Sequence, residues 1–309
     1  MSPSAATSAD PARHPVGVFD SGYGGLSVLR ELRRVLPQLD YCYLGDSGRA
    51  PYGGRDIDTV LTFAEQCLER LFGEGCRVVM VACHTVSCMA LRHLQHRYGG
   101  ADRRVLGVTI PAAEAAVAQT RGHIGFIGTS RTVASRTFST EVHKLDPQAR
   151  VTEVAAPLLA PIVEEGWEES EVGRLAVARY VATFGDIDTL VLGCTHYPLL
   201  QRAFSQCVPP GVAILNPAPQ VALRFADWLA RHPEFAPTQG GCLRLLSSGD
   251  VTRFAAHTER FLGEEPPAIE HVAEENGRLS LAAQASEPTG QVVRKRRTKG
   301  TTSASDGSR

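Results

Sequence analysis

Short apolar runs that alternate with amphipathic segments are the feature that most limits how this chain can fold. The apolar runs are bounded by turn residues, and the segments that follow them space their apolar residues as a helix does. This alternation is typical of parallel strands joined by crossover helices. It predicts an α/β fold with mainly parallel sheets flanked by helices. The clearest strand and helix pairs are residues 16–19 with 26–36, 78–82 with 86–97, 124–127 with 133–145, and 190–192 with 199–208.

Two of these units resemble each other in sequence. Residues 16–21 (VGVFDS) resemble residues 124–129 (IGFIGT), and residues 81–85 (VACHT) resemble residues 192–196 (LGCTH). Ser21 lies 62 residues before Cys83, and Thr129 lies 65 residues before Cys194. We infer two similar domains related by pseudo-symmetry. Because open parallel sheets bind ligands at the carboxyl ends of their strands, we expect the active site in the cleft between the two domains.

Composition narrows the class of ligand. The chain has 309 residues, of which 43% are apolar, and its formal net charge is −1, so neither a nucleic-acid nor a membrane partner is expected. No apolar run reaches the length of a membrane span, and residues 1–14 lack the apolar stretch of a signal peptide. We therefore expect a cytoplasmic protein with a small-molecule ligand.

The eight cysteines are interpreted as reduced thiols, because the chain shows no export signal and no paired C-x-x-C spacing. The three lysines argue against a pyridoxal-phosphate enzyme, which needs a lysine in its pocket to form a Schiff base. Lys295 and Lys299 lie in a polar tail, and Lys144 lies where a helix runs into a loop. We expect no cofactor and no metal.

Two cysteines stand at strand ends, where chemistry is expected. Cys83 and Cys194 each end an apolar run and each precede a helical segment. A thiol at a helix N-terminus feels the positive end of the helix dipole, which favours the thiolate and makes it a usable base. A single such cysteine would more often be a small core residue, but two at equivalent points of a duplicated fold favour a function.

Polar turns accompany these cysteines. The glycine-rich turn that begins with Asp20 and Ser21 brings backbone N–H groups to a helix start, which suits a carboxylate or a phosphate, although a plain structural turn is the alternative. Histidines follow both thiols, at His84 and His196; zinc is a weak alternative because Cys83 and His84 are adjacent and make an awkward chelate. The loop of residues 45–53 is polar and rich in turn residues, as active-site loops tend to be.

From Val16 to about Gly263 the chain resembles the glutamate racemases of the aspartate/glutamate racemase superfamily. The matching motifs are Asp20-Ser21-Gly22, Pro51-Tyr52-Gly53, Thr129 in a Gly-Thr turn, Gly193-Cys194-Thr195-His196-Tyr197-Pro198, and Ser248-Gly249-Asp250 followed by Phe254 and Phe261-Leu262-Gly263. The resemblance implies racemisation of L-glutamate to D-glutamate for peptidoglycan synthesis, without a cofactor. It also implies that the protein can form a homodimer.

The resemblance also implies roles for single residues. It makes Cys83 and Cys194 two catalytic bases on opposite faces of the substrate α-carbon, with Cys194 serving the L-enantiomer. Asp20 and His196 would assist proton movement at Cys83 and Cys194. The implied substrate-binding residues are Asp20, Ser21, Pro51, Tyr52, Gly53, His84, Thr85, Thr129, Thr195 and His196.

The sequence departs from the family motif at His84, where the family has asparagine in Cys-Asn-Thr. An imidazole can replace the amide as a hydrogen-bond donor, and an unperturbed one would titrate between about pH 5 and 8. A packing role for His84 is the alternative. A racemase for aspartate or another amino acid, and a weakly active paralogue that binds a small dicarboxylate or a protein, remain as alternative functions.

Domain boundaries follow from the same resemblance. We expect a first α/β domain of residues 15–107 plus 217–263 and a second of residues 108–216. Residues 1–14 and 264–309 are expected to be disordered tails, because periodic hydrophobicity is lost there. The basic cluster of residues 294–297 is either a tether for a partner or a solvated charge run.

Overall fold

The computed structural model describes residues 13–282, in which strands and helices alternate. The strands are β1 (Val16–Asp20), β2 (Tyr41–Gly45), β3 (Val78–Val81), β4 (Arg104–Gly107), β5 (His123–Gly128), β6 (Arg150–Ala155), β7 (Thr189–Gly193), β8 (Ala213–Leu215), β9 (Leu243–Ser247), β10 (Ile269–Glu275) and β11 (Arg278–Leu281). The helices are α1 (Leu26–Val35), α2 (Ile57–Gly73), α3 (His84–Met89), α4 (Leu91–Tyr98), α5 (Thr109–Gln119), α6 (Ser130–Ala134), α7 (Thr137–Leu145), α8 (Leu159–Glu164), α9 (Glu171–Val181), α10 (Gln201–Cys207), α11 (Ala218–Arg231) and α12 (Val251–Leu262). Short 3₁₀ turns lie at Tyr197–Leu200 and Pro233–Phe235.

The strands form two sheets whose shared order reveals the duplication. The first sheet runs β11-β10-β9-β2-β1-β3-β4 and the second runs β6-β5-β7-β8. The four strands β2-β1-β3-β4 are therefore ordered as β6-β5-β7-β8 are, and all pairs within these two sets are parallel. This confirms the predicted α/β fold with two related, mainly parallel sheets. β1 and β5 occupy equivalent central places, as do β3 and β7, which precede the two cysteines.

One continuous core joins the two sheet units. The inner residues of β1 and the inner residues of β7, such as Val18 and Leu192, belong to the same buried cluster. Helix α1 contributes Leu26, Leu29 and Leu32 to this cluster, since a spacing of three residues places them on one helix face. Because the core is shared, the carboxyl ends of β1, β3, β5 and β7 are held around one cleft.

Three of the predicted helices are each broken into two pieces. The predicted helix of residues 86–97 is divided at Ala90 into α3 and α4, and that of residues 133–145 is divided before α7 at Arg136, which has a left-handed φ of 54°. The segment 199–208 begins as a 3₁₀ turn and becomes α10. The apolar period continued across each break, so periodicity alone did not locate them.

The C-terminal prediction is wrong for part of its range. Instead of beginning a disordered tail at residue 264, the chain adds β10 parallel to β9 and returns through the antiparallel β11. Asn276 and Gly277 both have positive φ, as a two-residue hairpin turn requires, and this Asn-Gly pair was the sequence signal that we missed. Val272 and Leu279 are buried in the core of the first sheet.

The N-terminal prediction is wrong at His14. His14, predicted to lie in the N-terminal tail, bonds through its backbone N–H to Thr238 Oγ1 at 2.9 Å. Residues 1–12 and 283–309, which include the basic cluster, lie outside the described residues. Within residues 13–282, none of the helices has both the length and the apolar character needed to cross a membrane.

Candidate active site

A cavity of about 240 Å³ opens between the carboxyl ends of the two sheets. It is lined from both sheet units, and it contains all the predicted site residues except Asp20. The lining residues are Ser21, Gly22, Ala50, Pro51, Tyr52, Gly53, Gly54, Cys83, His84, Thr85, Thr129, Ser130, Pro157, Ala160, Pro161, Glu164, Cys194, Thr195 and His196. Its size suits a small polar metabolite.

Cys83 occupies the position before the first residue of α3 and lies on one side of the cavity. Its Sγ donates to Ser21 Oγ at 3.4 Å. Burial raises the pKa of the Cys83 thiol to about 12, and the charge of Asp20 acts in the same direction, whereas the Ser21 hydrogen bond opposes them. The expectation that the helix start favours a Cys83 thiolate is therefore wrong, because α3 is only six residues long and desolvation of the charged form dominates.

Asp20 lies behind Cys83, at the end of β1, and is fully buried. Its Oδ2 accepts the backbone N–H of Gly22 at 2.9 Å, and its Oδ1 accepts the hydroxyl of Thr195 at 3.5 Å. Burial raises the pKa of Asp20, although the charge of His196 and these hydrogen bonds act against the rise. A carboxyl group with a raised pKa holds its proton more readily than an ordinary aspartate does.

Cys194 follows β7 and faces the cavity from the second sheet unit. Its Sγ lies 3.8 Å from His196 Nδ1, and His196 Nε2 lies 3.0 Å from Glu164 Oε1. Burial lowers the pKa of His196, but the hydrogen bonds and charges of Cys194 and Glu164 outweigh it and raise that pKa to about 10. At neutral pH this histidine is an imidazolium held between a sulfur and a carboxylate.

Glu164 is the functional residue that the sequence interpretation missed. It is the last residue of α8 and lines the cavity. Burial raises its pKa, yet the hydrogen bond and charge of His196 more than compensate, so the pKa of Glu164 is lowered overall. The lowered pKa of Glu164 and the raised pKa of His196 are both the shifts expected of a charged pair. No motif in the segment around Glu164 carries a signal, because its role depends on a histidine 32 residues further along the chain.

The first binding turn and the second cysteine turn pack closely against each other. A Cβ added at Gly24 would lie 2.6 Å from His196 Nδ1 and would also overlap the hydroxyl of Thr195. Ser27 at the start of α1 donates to the backbone oxygen of Thr195 at 3.2 Å. Glycine is therefore required at position 24 for the close approach of the two halves of the site.

The loop that carries Pro51-Tyr52-Gly53 closes another side of the cavity. The hydroxyl of Tyr52 donates to the carboxylate of Asp46, which also receives Arg49 Nε at 2.8 Å. Because that hydroxyl is already hydrogen-bonded to Asp46, Tyr52 presents other atoms to the cavity. A Cβ at Gly53 would lie 2.8 Å from Thr129 Cβ, so this loop rests directly on the Gly-Thr turn of the second sheet unit.

Two threonines meet across the cavity. Thr85 Oγ1, on α3, lies 3.0 Å from Thr129 Oγ1, which precedes α6. A hydroxyl can both donate and accept, so the pair can reorient toward a bound ligand. The structure thus brings together side chains that are 44 residues apart in sequence.

His84 is 5% exposed, and neither of its ring nitrogens has a hydrogen-bond partner within residues 13–282. The ring borders the main cavity and also a second cavity of about 10 Å³ behind it, which Cys194 and Asn216 help to line. Burial lowers the pKa of His84 to about 4. The expected titration between pH 5 and 8 is therefore not found, and His84 is a neutral donor and acceptor throughout that range.

Lys144 is distant from the chemistry, since its ammonium group pairs with Glu141 at 2.7 Å on the surface of α7. Lys295 and Lys299 lie outside the described residues. All eight cysteines are free thiols. In the described part of the chain, no group of three or more histidine, cysteine, aspartate or glutamate side chains is arranged to hold a metal ion.

Comparisons with known proteins agree with this geometry. Residues 17–224 match the Asp/Glu/Hydantoin racemase family. A glutamate racemase of Syntrophus aciditrophicus is 36% identical over 269 residues, which cover 85% of this chain and 97% of the relative. A crystal structure of a Bacillus anthracis glutamate racemase superposes with a TM-score of 0.78 at 33% identity, covering 86% of this chain and 98% of that one. A Francisella tularensis glutamate racemase in complex with D-glutamate gives a TM-score of 0.78 at 28% identity, covering 84% and 98%.

By its fold the protein is a duplicated α/β protein whose cleft lies between two parallel sheets and receives one thiol from each. The chain belongs to the Asp/Glu/Hydantoin racemase family. The resemblance to glutamate racemases that the motifs indicated is confirmed.

Proposed function

We propose that this protein interconverts L-glutamate and D-glutamate by a two-base mechanism. The observation that carries the proposal is the placement of Cys83 and Cys194 in one cavity, each from the equivalent strand end of a duplicated sheet. Racemisation needs a base on one face of the α-carbon and an acid on the other, and two thiols supply both. Glutamate as the substrate is supported by the relatives named glutamate racemases and by the Francisella structure with D-glutamate.

The proposed reaction moves two protons, one on each face of the α-carbon. Starting from L-glutamate, Cys194 acts as a thiolate and takes the α-proton, and the electron pair left on the α-carbon takes the proton of the Cys83 thiol on the opposite face. The raised pKa of Cys83 suits this role, since it keeps a proton on the sulfur at neutral pH. The products are D-glutamate, a Cys194 thiol and a Cys83 thiolate. The reverse reaction exchanges the two roles.

Each thiol has a proton-exchanging neighbour. His196 contacts Cys194 at 3.8 Å and is itself held by Glu164, so as an imidazolium it can give a proton to that sulfur and, once neutral, take one back. Asp20 serves Cys83, on whose pKa its charge acts. These neighbours reset the protonation states between turnovers and allow the enzyme to accept either enantiomer.

We assign the remaining polar groups of the cavity to substrate binding. Hydroxyl groups from both sheet units and the backbone of the loop around residue 52 would hold the α-ammonium group and the two carboxylates, and His84 would donate to a carboxylate as a neutral imidazole. The assigned residues are Ser21, Pro51, Tyr52, Gly53, His84, Thr85, Thr129 and Thr195.

We place the reaction in the cytoplasm and its product in peptidoglycan synthesis. The cytoplasmic assignment is supported by eight cysteines that are all free thiols, a state favoured in a reducing compartment. The peptidoglycan assignment rests on the family. A homodimer remains a prediction from the resemblance.

The decisive experiment follows the α-proton directly. The purified protein is incubated with L-glutamate in deuterated water, and loss of the α-proton signal is followed by NMR while circular dichroism reports the change of handedness. L-aspartate and other amino acids are run in parallel, after chelation and treatment with a carbonyl reagent. We expect glutamate to exchange and to racemise. Faster exchange with aspartate, or activity restored only by added pyridoxal phosphate, would contradict the proposal.

A further inference from the structure

Helix α12, which belongs to the first sheet unit, contacts α8 of the second unit. It packs on α1 and β10 of its own unit. On the side that faces α8 it presents Arg260, whose Nη2 donates to the backbone oxygen of Val163 at 2.8 Å and to Glu168 Oε1 at 2.5 Å. This guanidinium therefore bridges two helices that no short loop connects.

The bridge holds the part of α8 that carries Glu164. Val163 is the residue directly before Glu164, and its oxygen accepts both Arg260 and the N–H of Gly166, which ends the helix. Helix α8 has only six residues, so contacts outside the helix must fix its last turn. Arg260 is the guanidinium that bonds to that turn from the opposite sheet unit.

The next residue on α12 contacts the other member of the pair. The ring of Phe261 meets the His196 ring edge to face, with centroids 5.4 Å apart, and Phe261 is fully buried. Consecutive residues of one helix thus secure both sides of the Glu164–His196 contact. A shift of α12 would move the carboxylate and the imidazole relative to each other.

The same face of α12 reaches the first binding turn. His257 lies one turn before Arg260, accepts Arg260 Nη1 at 3.2 Å and stacks on Tyr23 at 4.4 Å between ring centroids. Tyr23 follows the Asp20-Ser21-Gly22 turn. Helix α12 therefore contacts both the residue that follows the Asp20 turn and the end of α8 that carries Glu164, so it fixes their relative positions.

We propose that Arg260 is a positioning residue, which holds α8 from the neighbouring sheet unit and so keeps Glu164 on His196 for the proton transfer at Cys194. The proposal deepens the proposed racemisation and depends on it for its catalytic part. Arg260 does not line the cavity and does not touch the thiols, so it acts through the residues it contacts, of which Val163 lies on α8 directly before Glu164. Its loss leaves the shape of the substrate site intact but loosens the pair that resets Cys194.

The test uses the full chain with Arg260→Met, which keeps much of the side-chain length but removes the donors and the charge. We expect kcat to fall about 10- to 100-fold, as misplacing a catalytic group by about 1 Å does, while KM changes by less than about threefold. The matched control is Arg202→Met, because Arg202 forms an exposed pair with Glu169 at 3.0 Å, next to Glu168 in sequence. The control should keep the parental rate.

A second readout does not depend on turnover. The charged and titratable groups that act on His196 are Cys194, Glu164, Asp20 and His257. In Arg260→Met the carboxylate of Glu164 is held less well, so the His196 ring, followed by NMR with labelled histidine and no substrate, should titrate at a pH about one unit lower. The alkaline limb of kcat/KM should move by a similar amount.

The outcomes separate this proposal from the function. A lowered His196 titration in a protein that does not racemise glutamate would support the positioning role and reject the substrate. Normal racemisation with parental kcat and an unchanged His196 titration in Arg260→Met would overturn the positioning role. If that variant does not fold, Arg260→Lys retains the charge with fewer donors and should show the same changes in smaller size. Parental values in Arg260→Lys and in Glu168→Gln together would also overturn it.

Discussion

Replacing His84 with asparagine should make the stability of the protein less sensitive to acid. The imidazole is buried, neutral and without a partner for either nitrogen among the described residues. A buried neutral histidine opposes protonation in the folded protein but not in the unfolded chain. Asparagine has no such equilibrium, and it is also the residue of the family motif.

The magnitude follows from the two pKa values of His84. The folded value is about 4, and the unfolded value is about 6.5. Between these values the unfolded chain binds a proton that the folded protein does not, so acid favours unfolding. The stabilising effect of the neutral state is complete above the unfolded pKa and is lost as the pH falls toward 4. From about pH 7 to pH 5 this single group removes about 2 kcal/mol from the free energy of unfolding.

Urea titrations of the parent and of His84→Asn at both pH values measure this quantity. We expect the parent to lose about 2 kcal/mol more than the variant, because all other titrating groups are common to both proteins. His96→Asn, an exposed histidine on α4, serves as the control and should follow the parent. Equal losses in the parent and in His84→Asn would refute the conclusion that a neutral imidazole is buried at this position.

Three further predictions concern the catalytic groups. Cys83→Ser and Cys194→Ser should each lower racemisation in both directions by about 10²- to 10⁴-fold, measured by chiral chromatography, and a near-parental rate in either would reject the two-base assignment. Glu164→Gln removes a charge that helps to raise the pKa of His196 to about 10, so the alkaline limb of kcat/KM should move to lower pH; an unmoved limb would mean that this pair does not control the rate. Gly24→Ala places a Cβ 2.6 Å from His196 Nδ1 and should cost about 1–3 kcal/mol of stability, seen as a lower Tm.

The fold class and the duplication could be predicted from the amino-acid sequence. Local sequence patterns encode the fold class and the duplication, because strand and helix periods depend on the near neighbours of each residue and a repeated motif is visible in the sequence. The sequence also pointed to Cys83 and Cys194. Parallel strands bring their carboxyl ends to the same edge of a sheet, so residues at equivalent strand ends of a duplicated fold were expected to face one cleft.

Some errors came from local signals that were weak or overlooked. The apolar period ran across Ala90 and Arg136, so two predicted helices were not divided where the backbone turns. The final hairpin carries few apolar residues, because β11 is an edge strand, and only the Asn-Gly pair at residues 276 and 277 marked it.

The protonation states of the site residues depend on the three-dimensional packing around them. The pKa of Cys83 is raised by burial, against the effect expected from its helix, and the pKa of His196 is raised by the Cys194 sulfur and by the Glu164 carboxylate at the end of α8. Glu164 and Arg260 carried no sequence signal, since each matters through a partner that lies far away in the chain. Desolvation and Coulomb interactions depend on which groups surround a side chain in three dimensions. Those groups are brought together by the packing of the two sheet units, which no local pattern encodes.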